Sequence, residues 1–106
     1  ERYGVTGVHA FTMDAEEGAL CHCRNFAPLF GIDEEAATVT SSAGLTWYLQ
    51  ECGIIGEDSQ QLMIQGESMG RRSVIRTSVQ RNKKTGLPSI CGGGRTCILA
   101  EGEIHI

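Results

Sequence analysis

The sequence lacks a long apolar run and an excess of positive charge. No stretch approaches the roughly 20 apolar residues of a membrane span, and no secretory signal is recognisable. Nine Lys and Arg residues stand against 13 Asp and Glu residues, giving a formal net charge of −4. Because nucleic-acid binders normally carry a basic face, this balance argues against a nucleic-acid partner. The basic run at 81–84, RNKK, is typical of a solvated hairpin tip.

Cysteine pairs with the spacing of a zinc site are also missing. The five cysteines include no C-x-x-C pair, and a histidine between Cys21 and Cys23 of a strand would point away from both. Cys91 and Cys97 straddle a glycine turn and could approach each other. The odd count favours reduced thiols, and therefore a cytoplasmic protein without a metal whose cysteines behave as small buried apolar residues.

The 106 residues suit a single domain, 1–106, with ordinary globular composition. There is no internal repeat, low-complexity tract or linker. The chain has no initiator Met and begins in a strand-like pattern, which suggests a piece of a longer product. The N-terminal part of such a product could have carried a targeting signal.

Alternating patterns predict an N-terminal hairpin. Its strands are GVTGVHAFTM (4–13) and ALCHCRNFA (19–27), joined by the polar turn DAEEG. Further short β-like runs lie at 61–66, 73–80, 95–100 and 103–106.

One helix is predicted from about Thr40, with Gly53 as its C-terminal stop. Trp47, near its middle, is expected to pack in the core together with its neighbour Tyr48. The apolar helix face consists of Leu45, Tyr48, Leu49 and Cys52, and the acceptable N-cap residues are Thr38, Thr40 and Ser41. The predicted fold is α+β: a curved, mainly antiparallel sheet wrapped around one central helix.

The segment DEEAATVTSSAG lies where the chain turns into this helix. A helix N-terminus presents unpaired N–H groups and a partial positive charge, and small residues let an anion approach them. The backbone of Thr38, Val39, Thr40 and Ser41 could therefore hold a carboxylate or phosphate. Glu34 and Glu35 could act in proton transfer. Alternatively, these acidic residues merely complement the helix dipole.

Three ordered segments resemble the signature of the PhzF family, the phenazine-biosynthesis-like proteins. The first, RNFAPLFGIDEEAATVTSSAGLTWYL, resembles a pattern of R-x-F-A-P, G-I, an acidic pair, A-T-G-S-A and a helix ending in Y-L. The second, QGESMGRRSVI, is similar to Q-G-x-x-M-G-R-P-S. The third, GGGRTCILAEGEI, is similar to the final hairpin of the family.

The resemblance implies the fold of diaminopimelate epimerase, in which two similar halves each wrap a sheet around a helix. The active site of such proteins lies between the halves, where the two helix N-termini face each other. A characterised member isomerises a dihydro-hydroxyanthranilic acid and needs no metal or organic cofactor. This chain resembles the C-terminal half, whereas the principal proton-shuttling glutamate of the family belongs to the other half.

The site residues carry over only in part. By resemblance, the active-site aspartate of the family falls on Glu35, and its glycine and serine fall on Val39 and Thr40. Valine is the main departure, because a β-branched side chain tolerates positive φ poorly and crowds a ligand. Ala36 and Arg72 replace prolines. The predicted catalytic residues are Glu35 and Thr40, and the predicted substrate-binding residues are Thr38, Val39, Ser41 and His22.

Two functions remain open at this point. The first is an isomerase acting by cofactor-free proton transfer on a small carboxylic acid, with its site completed by an N-terminal half-domain or by a homo-oligomer partner. The isolated chain is then expected to be inactive. The alternative is a non-catalytic binding or scaffold homologue that has lost the activity. An exposed half-fold also predicts self-association.

Overall fold

A computed structural model describes residues 3–15, 18–56 and 58–106, so the middle of the predicted DAEEG turn lies outside the described residues. These described residues form one six-stranded sheet and one α-helix. Short 3-10 turns lie at Pro28–Phe30 and Glu67–Met69. In chain order the elements are β1 (Val8–Thr12), β2 (Cys21–Ala27), β3 (Ile32–Glu35), α1 (Val39–Glu51), β4 (Gln60–Gln65), β5 (Ser73–Arg81) and β6 (Pro88–Gly93).

The sheet has the order β1-β2-β4-β5-β6 and is antiparallel except where β2 pairs with β4. The predicted hairpin is confirmed, because β1 pairs with β2 from Val8↔Phe26 to Thr12↔His22. On its other edge, β2 pairs with β4 at its beginning and with β3 at its end. This arrangement places the end of β3, and therefore the start of the helix, beside Asn25 of β2 and near the C-terminal end of β4.

The helix ends as its sequence predicts. Gly53 adopts φ +75°, a left-handed conformation that glycine tolerates best. Its N–H donates to the Gln50 carbonyl, and the N–H of Ile54 donates to the Leu49 carbonyl, both at 3.0 Å. These two bonds form a Schellman motif, which satisfies carbonyls that the last helical turn would otherwise leave unpaired.

The buried helix face differs from the predicted one. Leu45 and Leu49 are buried as expected, but Tyr48 is 55% exposed and Cys52 is exposed. Small polar residues replace them on the inner face, where Thr46 and its neighbour one turn earlier, Ser42, are fully buried. Small side chains let the helix approach the sheet closely. The predicted core packing of the central aromatics is therefore wrong for Tyr48, whose ring meets Phe11 edge-on at 6.4 Å between centroids.

A hydroxyl pair satisfies part of this polar helix face. The Thr46 hydroxyl donates to the Ser42 carbonyl at 2.8 Å and lies 2.6 Å from the Thr77 hydroxyl of β5. These partners stabilise Thr46, because leaving a buried hydroxyl unpaired costs roughly 1–3 kcal/mol. The register of the helix on the sheet therefore follows from this polar pair as well as from its leucines.

Two of the five cysteines behave as predicted, as small apolar core residues. Cys21 and Cys23 are buried with their sulfur atoms 3.6 Å apart, whereas the other three are exposed; all five are free thiols. The hydrogen bond to Cys21, together with burial, raises the pKa of the Cys23 thiol. These two thiols pack with the apolar side chains Leu45, Leu49, Ile55 and Met63.

The prediction for the C-terminal part is wrong. No strand forms at 95–100 or 103–106; instead β6 pairs with β5 through Ile90↔Val79 and its neighbours. A glycine-rich composition hides β6 in the sequence, because glycine is unfavourable in strands unless a partner strand holds it. The apolar side chains of the segment 95–106 are 79–121% exposed; they are Ile98, Leu99, Ile104 and Ile106. Among the described residues, no helix has the length and apolarity to cross a membrane.

Candidate active site at the helix start

The centre of the candidate site is the short connection between β3 and α1. Glu35 ends β3 directly opposite Asn25 of β2, and Thr38 is the residue before the helix. Because only residues 36–38 separate β3 from the helix, the carboxylate of Glu35 lies near the N-terminus of the helix.

The carboxylate of Glu35 is held through one of its two oxygens. Its Oε2 accepts hydrogen bonds from the Thr38 hydroxyl at 2.6 Å and from the side-chain amide of Asn25 at 3.1 Å. Nδ1 of His9 lies 2.9 Å from the other side-chain atom of that amide, Oδ1 of Asn25. Within the described part of the chain, no donor contacts Oε1 of Glu35. One carboxylate oxygen is therefore engaged by the protein and the other is available to a ligand.

A buried amide at the end of β4 also holds this connection. Gln65, at the end of β4, has no exposed surface. Its Oε1 accepts the Thr38 N–H at 3.2 Å, and its Nε2 donates to the Glu35 carbonyl at 2.9 Å and to the Thr38 hydroxyl at 3.0 Å. The Thr38 N–H, one of the amides predicted to face a ligand, is thus already bonded to the protein.

The backbone N–H groups of the next three residues, Val39, Thr40 and Ser41, are not bonded in this way. Thr38 is the N-cap in an extended conformation, but its hydroxyl turns back to Glu35 and does not cap the helix. The first intrahelical bond runs from the Ser42 N–H to the Thr38 carbonyl at 3.1 Å. The N–H groups of Val39, Thr40 and Ser41 have no acceptor among the described residues. The helix therefore presents three unpaired donors and the positive end of its dipole beside the Glu35 carboxylate.

Valine at the first helical position causes no backbone strain, contrary to the sequence-based concern. In the described part of the chain, the only non-glycine residue with positive φ is Asp58. Val39 instead fills space beside β6, because its Cγ1 lies only 2.5 Å from where a Cβ on Gly92 would stand. Its side chain remains 42% exposed. Val39 therefore affects a ligand only by occupying space at the helix start.

The second family-like segment packs directly against the first. Gly66 has φ +85°, and a Cβ there would lie 2.3 Å from the Arg71 carbonyl oxygen and 2.7 Å from that of Ala36. The Ser73 hydroxyl bonds the same Ala36 carbonyl at 2.8 Å. Glycine is thus required at this point both for its conformation and for the close approach of two chain segments.

The neighbouring glutamate has a structural role. Arg24 donates to both carboxylate oxygens of Glu34 at 2.8 and 3.1 Å, and the Ser68 hydroxyl donates at 2.7 Å. The hydrogen bonds from Arg24 and Ser68 lower the pKa of Glu34 to about 2. The Arg24 guanidinium also stacks 4.9 Å from the Phe26 ring centroid, so these two residues anchor the loop. Glu34 stays ionised and is unsuited to exchanging protons near neutral pH.

His22 is not brought to the helix start. Successive strand residues face opposite sides of the sheet, so His22 lies on the face opposite to Asn25 and Glu35. Its Nδ1 bonds Oε1 of Glu67, and the pair lines a cleft of about 440 Å³ together with Thr12, Arg24 and Ser68. Its predicted role in binding substrate at this site is therefore not supported by its position.

Sequence reasoning missed Gln65, Asn25 and His9. The sequence signal for Gln65 is its position directly before a glycine in the segment QGESMGRRSVI, because such a glycine marks a sharp turn. Asn25 and His9 occur in strand patterns that carry no such mark. Across the described residues, no three His, Cys, Asp or Glu side chains converge to hold a metal ion.

Comparison with known proteins agrees with the sequence motifs. No curated protein matches the chain. A crystal structure of the Bacillus anthracis phenazine biosynthesis protein of the PhzF family matches with a TM-score of 0.70 at 17% identity, over 79% of this chain. The chain spans 29% of the length of that protein. The fold is thus that of half a diaminopimelate epimerase-like protein. The family model for phenazine biosynthesis-like proteins matches residues 1–102, and the chain therefore belongs to the PhzF family.

Proposed function

We propose that this chain supplies half of the active site of a PhzF-type isomerase, which moves a proton on a small carboxylic acid without a cofactor. The observation that carries this proposal is the position of the Glu35 carboxylate. It is fixed through Oε2 and free at Oε1, and it stands beside the three unpaired amides of Val39, Thr40 and Ser41.

In this proposal the two features divide the work. The carboxylate of the substrate binds the helix-start amides, where the dipole favours negative charge. Oε1 of Glu35 then accepts or returns a proton at a neighbouring carbon of the substrate, and the Thr40 hydroxyl binds a polar substituent. The second acid or base comes from the other half of the site, because no further carboxylate among the described residues contacts this network, and the imidazole that does, His9, meets Asn25 and not Glu35.

The surface of the chain supports a missing partner. Its accessible area is 7831 Å². A compact monomer of this length exposes about 5,800 Å². The radius of gyration is 15.9 Å. A compact domain of this length is expected to have roughly 13 Å. The accessible area and the radius of gyration both exceed those of a compact monomer. Such an excess is expected if an N-terminal half-domain or a second copy covers part of this surface.

Deuterium exchange into carbon acids tests the proposal. The chain is mixed in D₂O with cyclic amino and hydroxy carboxylic acids, with and without a PhzF-family N-terminal half supplied in trans. Exchange is expected only with both halves present, and Glu35→Gln should reduce it about 100-fold or more. The matched control, Asp33→Asn, changes the exposed carboxylate two positions earlier and should leave the rate unchanged. Exchange by the isolated chain, or full activity of Glu35→Gln, would contradict the proposal.

The alternative, a non-catalytic binding protein, is favoured by the side chain of Val39, which occupies volume at the helix start. In the same assay, such a non-catalytic chain would exchange no carbon acid, whether or not the N-terminal half is present. Val39→Gly separates an eroded enzyme from a scaffold. It should restore binding of the same acids if the amides once held substrate, and should have no effect in a scaffold.

A further inference from the structure

We propose that Gln65 is a positioning residue of this site: it fixes the Thr38 hydroxyl as a donor to Oε2 of Glu35 and so leaves Oε1 as the proton-exchanging atom. The catalytic part of this inference rests on the function proposed above. Its structural part does not, because it concerns hydrogen bonds within the chain.

The orientation of the Gln65 amide follows from its backbone partners. The Thr38 N–H can only donate, so the atom 3.2 Å away must be the oxygen Oε1 of Gln65. The Glu35 carbonyl can only accept, so the atom 2.9 Å away must be the nitrogen Nε2. The two assignments agree, and an amide flip would break both bonds. The side chain is also completely buried, so no solvent competes for it.

This orientation determines the direction of the next hydrogen bond. Nε2 has a second hydrogen, which points to the Thr38 hydroxyl oxygen at 3.0 Å. Because that oxygen accepts from Gln65, its own proton is directed elsewhere, and the Glu35 carboxylate oxygen Oε2 lies at 2.6 Å. The chain of donors therefore runs from Gln65 through Thr38 to Glu35.

The second donor to the carboxylate reinforces the same choice. Asn25 donates to Oε2 as well, at 3.1 Å. An oxygen that accepts two hydrogen bonds is a poor place for an additional proton. Oε1 has no donor in the described part of the chain, so it is the oxygen at which a proton can arrive or leave.

Carbon-13 NMR of the Glu35 carboxyl tests this inference without any substrate. In the 106-residue chain at pH 7, Thr38→Val removes the hydroxyl, and Gln65→Met removes the amide while keeping the length of the side chain. Both variants should move the Glu35 carboxyl signal in the same direction. The double variant should move it no further than Thr38→Val alone, because the two residues act in one chain. The Thr38 N–H should also lose protection from hydrogen exchange in Gln65→Met.

Ser73→Ala is the matched control. The Ser73 hydroxyl holds the same connection through the carbonyls of Ala36 and Gln65, at 2.8 and 3.1 Å, but takes no part in the donor chain. It should leave the Glu35 carboxyl signal in place. If Gln65→Met does not fold, Gln65→Leu replaces it, since this variant also removes the amide and leaves an uncharged apolar side chain in the buried position.

Three results would overturn the inference: an unmoved Glu35 signal in the folded Gln65 variants, additive shifts in the double variant, or an equal shift in Ser73→Ala. For a carbon acid that exchanges, Gln65→Met should lower kcat by about 10-fold with KM changed less than about 3-fold, because the amides that bind substrate are untouched. Absence of any exchangeable acid would count against the proposed function alone, because the NMR result would still decide the role of Gln65.

Discussion

At the scale of single residues, two adjacent glutamates have separate tasks because their neighbours differ. Glu34 is paired with Arg24 on one face of the sheet, whereas on the other face the donors that Glu35 meets among the described residues, Thr38 and Asn25, are uncharged. Strand alternation produces this separation, since consecutive side chains point to opposite faces. The sequence segment D-E-E therefore contains one structural carboxylate and one candidate for proton transfer.

The ion pair of Glu34 predicts a defined dependence of stability on pH. Its folded-state pKa of about 2 lies below the ordinary value of 4.5, so its contribution is fully present above pH 4.5 and is lost as the pH falls toward 2. Glu34→Gln removes this contribution. The free energy of unfolding in urea, measured from pH 6 to pH 2, should therefore fall less steeply in Glu34→Gln than in the wild-type chain. Asp33→Asn serves as the control, and parallel curves for Glu34→Gln and wild type would contradict the assignment.

At the scale of elements, the turn after β4 links two parts of the candidate site. Gly66 and Gly70 flank the 3-10 turn Glu67–Met69, and both have left-handed φ, at +85° and +67°. Only Gly66 approaches other backbone atoms, whereas Gly70 has open space around it. Both positions therefore require glycine for their conformation, and Gly66 requires it also because a side chain there would overlap neighbouring backbone.

This contrast predicts unequal effects of the same substitution. Gly70→Ala should destabilise the chain by about 1–2 kcal/mol, the cost of a left-handed conformation for a residue with a Cβ. Gly66→Ala adds overlap with the carbonyl oxygens of Arg71 and Ala36, which should cost roughly 1–3 kcal/mol more and displace the connection that holds Glu35. Chemical denaturation of both variants measures the difference. Equal losses would show that the close approach at Gly66 is absent in solution.

At the scale of the whole molecule, much apolar surface remains uncovered. Large apolar side chains of the hairpin, the helix and the segment 95–106 are exposed, including Val8, Phe11 and Tyr48. Phe11 and Tyr48 contact each other, so part of this apolar surface is contiguous, and contiguous apolar patches mark interaction sites. The chain is therefore expected to associate with itself when no partner half is present.

Light scattering across a range of protein concentrations tests this expectation. The average mass should rise with concentration in the 106-residue chain and rise less after deletion of residues 95–106, which removes four exposed apolar side chains. The deletion should change the free energy of unfolding by less than about 1 kcal/mol, because these residues bury almost nothing. A strict monomer at high concentration would refute the prediction, and a large loss of stability on deletion would show that the segment packs against the fold.

The sequence by itself determined those features that depend on neighbours along the chain. The hairpin of β1 and β2 and the helix with its stop at Gly53 both follow from strand alternation and helical spacing. The family motifs also located the loop at the helix start. Local patterns of this kind persist whatever the rest of the chain does.

Tertiary structure alone decided which residues of the candidate site contact one another. Gln65 meets Thr38 across 27 positions, Ser73 meets Ala36 across 37, and β6 is a strand only because β5 lies beside it. Which helix face is buried, and the face on which His22 lies relative to Glu35, likewise depend on how elements pack. Hydrogen-bond geometry and steric contact between distant segments leave no periodic trace in a single sequence, so only the folded chain shows which carboxylate oxygen is bound and which is left free.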